Sequence, residues 1–391
     1  MDQEYSPETL CNHPKFGPLP SDNHPLTPPI YQSVKFVVDD FAELKKIFRS
    51  EREGYFYSRA SNPTLDVLAN LLAQLQGTEA GRVTASGVAA VTNTLLALLK
   101  SGDRLIYFLE SYGPSRSFAE GMLTKFGVQV VRLSLDDLEG IKREIAVPGT
   151  KAVLFESVTN PQLKVAPLEL IHSEAKRHGV LTLLDNTFAG FQSWKKWPFD
   201  LYIHSLTKYA SGHGDVMGGA ILGSEKLLKQ IDKSLLNLGS TLDPHAAFLI
   251  QRGLKTYHLR RRAQCENSQI IAEFLEAHSA IEKVIYPGLA SHPQHSWFAE
   301  NFDDFGSIVF FRLKDKQRNI ENVVTKGKLF MMTGSLGSTE SLITPALFFY
   351  ASDLNAAERD QAGIDASSVR LSIGIENAID LLKDLKLILD Q

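Results

Sequence analysis

Cysteine is nearly missing from this chain. Only Cys11 and Cys265 occur among 391 residues, and neither stands in a cluster with metal-ligand spacing. That excludes a disulfide framework and fits a reducing compartment. The histidines, His204 and His213 included, also lack a metal-ligand arrangement, so no metal site is expected. No apolar run is long enough to span a bilayer. The opening residues 1–20 are polar and acidic and lack the apolar core of a secretory signal, so the expected location is cytoplasmic. Positive charge is not in excess: 41 Lys and Arg against 45 Asp and Glu leave a formal charge of -4. Such a balance gives no general attraction to nucleic acid or to an anionic membrane. A small-molecule partner is the expectation that remains.

What is present is the composition of an ordinary globular protein, 43% apolar and 22% charged. The length calls for two domains, with room for an extra terminal segment. The first part, 1–62, reads as an N-terminal arm. Pro18, Pro20, Pro25, Pro28 and Pro29 favour extended chain, and the apolar stretch Pro29 to Phe36 points to docking, with a neighbouring subunit as one candidate surface. From Thr64 helical and strand patterns alternate. Leu65 to Leu75 has helical spacing with Gly77 as a stop. Val83 leads into a small-residue turn and the helical run Val88 to Leu99, and Ser115 to Phe126 reads as another helix. Short apolar runs at Leu105–Leu109, Val128–Leu133, Ala152–Phe155, Leu181–Leu184, Leu201–Ile203 and Gly219–Leu222 read as strands. This alternation predicts an α/β large domain over 63–245 with a mainly parallel sheet. Beyond it, 246–391 reads as a smaller α+β domain. Helices are expected at Ala246–Arg262, Ser268–His278 and Ala378–Leu389, and strands at Ile308–Leu313 and Ser368–Ile373.

In such sheets ligands sit beyond the carboxyl ends of the strands. Lys208 lies there, just after Leu201–Ile203, with Ser205 and Thr207 three and one residues before it. Asp185 ends another run. Ser86-Gly87-Val88 opens a helix directly after a strand, where backbone amides and the helix dipole suit a phosphate. Each feature alone is commonplace. An amine, two hydroxyl-bearing phosphate turns and a strand-end carboxylate together are the parts that hold pyridoxal phosphate (PLP). The amine forms a Schiff base, the turns take the phosphate and the carboxylate faces the ring nitrogen.

Eight segments in order then resemble the Cys/Met-metabolism, or transsulfuration, family of PLP enzymes, the cystathionine lyases and synthases with methionine γ-lyase. They are Tyr57 to Thr64, Ser86-Gly87-Val88, Glu156 through Asn160-Pro161, Asp185-Asn186-Thr187 and Ser205 to Tyr209, then Tyr286 to Leu289, Ser335 to Leu342 and Val369 to Ser372. The resemblance covers about Pro28 to Leu382 and implies the fold-type I, aspartate aminotransferase-like architecture. It implies that Lys208 carries the cofactor and then moves protons, that Asp185 pairs with the ring nitrogen, and that Tyr112 stacks on the ring. Ser86, Gly87, Val88, Ser205 and Thr207 would hold the phosphate, and Asn160 would contact the ring hydroxyl. Arg370, with Ser335, would grip the substrate carboxylate. Tyr57 and Arg59 would reach the phosphate of a neighbouring subunit, with Tyr57 also near substrate, which implies a homo-oligomer with shared sites and a tetramer as the common form.

The reaction expected is cleavage of a carbon–sulfur bond in an amino acid. Where γ-acting members often carry Glu, this chain has Gly334, and Ser338 replaces a second glycine. Tyr112-Gly113-Pro114-Ser115 is similar to the proline-containing form of some bacterial β-lyases. These departures favour cystathionine β-lyase, releasing homocysteine, pyruvate and ammonia. Asn62-Pro63-Thr64 and Asn160-Pro161 keep cystathionine γ-lyase or γ-synthase as the alternative. A Schiff-base aldolase would not need Asp185 or two phosphate turns. A non-catalytic binding protein on the same fold would be expected to have lost Lys208, Asp185 or Arg370.

Overall fold

A computed structural model describes residues 5–13, 25–49, 51–192, 194–316 and 320–390. The expectation for the extreme N-terminus, including Pro18 and Pro20, falls largely outside them. Seven strands form the large sheet: β1 (Ala80–Thr84), β2 (Arg104–Phe108), β3 (Gln129–Leu133), β4 (Thr150–Glu156), β5 (Leu181–Asp185), β6 (Leu201–Ser205) and β7 (Gly219–Gly223). Their order is β1-β7-β6-β5-β4-β2-β3. Pairings from β6 through β3 are parallel, while β7 runs antiparallel to both β1 and β6.

Alternation along these strands feeds two cores, as the two-residue period of a strand requires. Ile106, Phe108, Val153, Phe155, Leu184 and Tyr202 face one layer, which includes the helix Pro63–Gln76. Leu105, Tyr107, Ala152, Leu154, Leu183 and Leu201 face the other, with the helix Gly87–Leu98. Both helices carry the caps their sequences predict. Asn62 accepts from Thr64 N and Gly77 ends the first helix in the left-handed region at φ 77°.

A second sheet, β8 (Ile281–Ile285), β9 (Ile308–Leu313), β10 (Met331–Met332), β11 (Leu342–Pro345) and β12 (Ser368–Ser372), has the order β10-β11-β12-β9-β8. It packs on Ile271, Leu275, Leu381, Leu385 and Ile388 of the helices Tyr257–Ala277 and Ala378–Leu389. Ala247, Ile250 and Leu254 belong instead to the core of the large sheet. We propose that the division between the domains lies within Tyr257–Ala277, later than residue 246.

Three local expectations are corrected. The helices expected at Ala246–Arg262 and Ser268–His278 are Pro244–Leu254 and Tyr257–Ala277, with the break at Lys255 and Thr256. Arg260 holds that break by donating to Gly253 O at 2.8 Å and Thr256 Oγ1 at 3.2 Å. The helix expected over Ser115–Phe126 gives way after Gly121 to a tighter turn, Leu123–Phe126. The arm contains two short helices, Pro7–Asn12 and Phe41–Phe48, started by Ser6 and Asp40. Its extended part folds back on its own chain, with Tyr31 N donating to Thr64 Oγ1 at 2.9 Å and Ser58 N to Val34 O at 2.9 Å.

Asp384, only 6% exposed, anchors the second domain. Its carboxylate accepts the N–H groups of Lys328, Leu329 and Phe330 at 2.8, 2.9 and 3.0 Å. Asp384→Ala leaves three donors unpaired and is expected to cost about 3 kcal/mol in the denaturant unfolding of this domain. A shift below about 0.5 kcal/mol would show that the loop 328–330 finds other acceptors.

Candidate active site

Five expected site segments meet at the carboxyl ends of the parallel strands. β5 ends on Asp185, β6 on Ser205 and β4 on Glu156. Ser86 follows β1 and Tyr112 follows β2. The turn after β6 brings Lys208 into the cluster, where Nζ donates to Ser335 Oγ at 2.7 Å. The chain around Lys208 is clamped from the helix Tyr257–Ala277. Arg260 donates to Tyr209 O at 3.0 Å, and the Arg261 guanidinium lies 4.4 Å from the Tyr209 ring centroid while paired with Asp304.

Arg370, in the middle of β12, is fully buried. It donates to Asn160 Oδ1 at 3.2 Å and to Ser335 O, and it lies over the Tyr350 ring at 4.7 Å. Among the described residues its Nε has no hydrogen-bond partner and no carboxylate pairs with it. A buried cation without an anion is costly, so the arrangement favours binding of an anionic group. Ser335 itself has φ 79°, unusual for a residue with a side chain, and thereby offers Oγ to Lys208 and its carbonyl to Arg370.

Asp185 is held by its neighbour. Its Oδ1 accepts from Thr187 N at 3.0 Å and Thr187 Oγ1 at 2.6 Å, and that hydroxyl accepts from Ser205 N at 2.9 Å. Asp185 thus closes a short-range turn on Thr187, although no helix starts there. Burial raises the Asp185 carboxyl against the two Thr187 hydrogen bonds. Glu156 stands opposite Asp185 in the strand register. Burial, then the nearby Asp185 charge, pushes it up to about 8, which favours its neutral form. The Lys208 amine moves the other way. Burial, then the Arg370 charge, pushes it down to about 8.

The two turns expected to take the phosphate touch. A Cβ added at Gly87 would lie 2.8 Å from Ser205 Cβ, so only glycine lets the turns close together. Ser86 caps its helix through Ala89 N at 3.1 Å, and Val88 lies in the first turn of that helix. Thr207 Oγ1 accepts from Gly218 N at 3.1 Å. These residues fit PLP: a desolvated amine, a buried carboxylate, a helix N-terminus with flanking hydroxyls, and Tyr112 beside them. Tyr57 and Arg59 are not brought to Lys208. They lie on the arm, with Tyr57 37% exposed and the Arg59 guanidinium 5.6 Å from its ring. Sequence reasoning gave no role to Thr187 or Glu156, although both lie in its motifs. Tyr350 and Arg260 carry no local signal; only the fold brings them in.

Comparison with known proteins agrees with this geometry. The family model for Cys/Met metabolism PLP-dependent enzymes matches residues 16–390. The L-methionine gamma-lyase of Pseudomonas putida is 36% identical over 92% of this chain and 92% of its own length. The cystathionine beta-lyase of Lactococcus lactis subsp. cremoris is 38% identical over 92% of each. A crystal structure of a putative O-acetylhomoserine (thiol)-lyase from Campylobacter jejuni, with pyridoxyl-lysine monophosphate in its chain, superposes with a TM-score of 0.93. It is 31% identical and covers 99% of this chain and 100% of its own. With a match that runs almost from end to end and a fold of fold-type I, the chain belongs to the Cys/Met metabolism family of PLP-dependent enzymes.

Proposed function

We propose that this enzyme cleaves the carbon–sulfur bond of an amino-acid thioether by β-elimination, with cystathionine as substrate. The observation that carries an amino-acid substrate is Arg370, buried and without a carboxylate partner among the described residues, next to the Lys208–Ser335 contact. A fork of guanidinium donors suits a carboxylate. The β preference is supported at Gly334, where an added Cβ would lie 3.2 Å from the Phe349 ring. A larger side chain at position 334 would need the Phe349 ring to shift, so glycine suits the close approach of that ring beside Ser335.

In this reading Lys208, Asp185, Tyr112, Asn160 and the turns at Ser86–Val88 and Ser205–Thr207 hold the cofactor. When bound, PLP supplies an electron sink for the charge left at the substrate α-carbon. Arg370 fixes the carboxylate and so the direction of the α-hydrogen. Lys208 Nζ, neutral at a lower pH than an ordinary lysine, takes that proton and holds it. Ser335 Oγ orients the amine by accepting its hydrogen bond. Tyr57 and Arg59 complete the site from a second copy of the chain, a role supported by their exposure and their distance from this cluster in the fold. γ-Cleavage is the second reading, because methionine gamma-lyases at 36–37% identity are among the relatives.

The keto acid decides between them. Incubation with cystathionine is expected to give pyruvate and homocysteine; 2-oxobutyrate with cysteine would overturn β-cleavage in favour of the γ reading. Lys208→Ala is expected to lower kcat at least about a thousandfold, and full activity would remove Lys208 from the chemistry. The amine has its own signature. Borohydride trapping of PLP on the apoprotein is expected to rise with pH around a midpoint near 8. Arg370→Ala removes a cation that disfavours the ammonium form, so the midpoint moves up. A wild-type midpoint near ~10.4, the value of a free lysine, would refute the desolvated amine.

A further inference from the structure

The turn that carries Tyr112 is fixed from outside itself. Tyr112 begins the helix Gly113–Gly121 without any side-chain cap. Glu156, at the end of β4, accepts the Tyr112 N–H. Arg116, 5% exposed, reaches back from the same helix and donates to Leu109 O at 3.0 Å and to Ser111 O. Its other end meets both oxygens of Asp353 at 3.0 and 2.9 Å, across 237 residues of sequence. Asp353 lies three residues beyond Tyr350, the ring under the Arg370 guanidinium. The residues on either side of Tyr112 are thus tied to the Asp185 strand pair below and to the Arg370 neighbourhood above.

We propose that Glu156 is the positioning residue for Tyr112, with the Arg116–Asp353 pair bracing the other side of the same turn. This rests on the reading of Tyr112 as the residue that faces the cofactor ring. Glu156 makes no ion pair among the described residues; its hydrogen bond is to the Tyr112 N–H, and the Arg116 charge acts on it only weakly, behind burial and Asp185. It stands in register with Asp185, where a second negative charge would compete with the role assigned to Asp185. A neutral carboxyl avoids that conflict and still accepts an N–H through its carbonyl oxygen. Burial and the Asp185 charge push Glu156 up to about 8, in keeping with this form. The chemistry required at this position is therefore a neutral acceptor of carboxamide size.

The holoenzyme variants Glu156→Ala, Glu156→Gln and Tyr112→Ala test this through the visible circular dichroism of bound PLP, the cofactor dissociation constant and the split between kcat and KM. Glu156→Ala is expected to weaken cofactor binding about tenfold, the effect of one lost hydrogen bond in a buried site. It should also reduce the visible dichroism in the same sense as Tyr112→Ala. Glu156→Gln is expected to restore both to within about threefold of wild type. If Tyr112→Ala changes the dichroism while Glu156→Ala does not, the positioning role is overturned and the Tyr112 reading stands. If Tyr112→Ala leaves the dichroism unchanged, that reading fails and takes the inference with it. Glu156→Gln as impaired as Glu156→Ala would also overturn it, since the charge rather than the hydrogen bond would then matter. Should Glu156→Ala fail to fold, Asp353→Ala, at a half-exposed side chain, is expected to shift the dichroism the same way by a smaller amount. A wild-type spectrum for Asp353→Ala would overturn the bracing by the Arg116–Asp353 pair.

Discussion

Two cations meeting at Ser335 set the terms for the rest of the site. Lys208 Nζ binds its hydroxyl and Arg370 its carbonyl, which needs the left-handed backbone at φ 79°. A non-glycine residue in that region stores about 1–3 kcal/mol, so the surrounding structure must hold it there. Lys208 comes from the large sheet and Arg370 from the second one, so this residue is a joint between two separately packed cores. Of the two cations only one can yield. A guanidinium stays charged at any working pH, whereas a buried ammonium gives up its proton. Burial of Lys208, with the charge of Arg370 beside it, therefore makes the lysine a base at a pH where free lysine is not one.

The same division of labour recurs between Asp185 and Glu156. Parallel strands of matched length put both carboxyls at one edge. Two like charges in a desolvated place do not both persist. The two donors of Thr187 favour charge on Asp185, while Glu156, bonded to one backbone N–H, is left neutral. Sheet topology thus creates a conflict between two acids, and the Thr187 hydrogen bonds favour charge on Asp185, the one proposed to face the ring nitrogen. Thr187 then passes its second hydrogen bond to Ser205 N, so the carboxylate and one phosphate turn are set by a single hydroxyl.

Much of this was legible in the residues, and the gaps have physical causes. Pro63–Gln76 and Ala378–Leu389 show their apolar period and caps locally, so sequence reading finds them. The break at Lys255–Thr256 is written in the fold, because Arg260 makes its bonds there only when Gly253 lets the chain approach Ser211 O closely. Phe41–Phe48 was hidden by the proline-rich context that precedes it, although Asp40 is a good cap. In the candidate site, Lys208, Asp185 and Arg370 stand out in the sequence because each sits in a recognisable local motif. Tyr350 and Asp353 do not, since they act through residues far away along the chain.

In the proposed function, the choice between β- and γ-cleavage turns on what stands beside Ser335. β-Elimination needs one proton taken from the α-carbon and a thiolate that leaves from the next carbon. γ-Elimination needs a further proton moved at the β-carbon before the thiolate can depart. Beside Ser335 this chain presents Gly334 under the Phe349 ring, with Thr333 O engaged by Thr344 Oγ1 at 3.1 Å. A side chain grafted at position 334 would have to shift the Phe349 ring, which lies against the glycine at 3.2 Å from an added Cβ. In the proposed reaction, Lys208 Nζ is the amine in contact with Ser335 and the base for the α-proton. In the proposed β-cleavage, that single base is enough for the shorter reaction, and the Phe349 ring beside Gly334 suits the uncharged sulfur of a thioether.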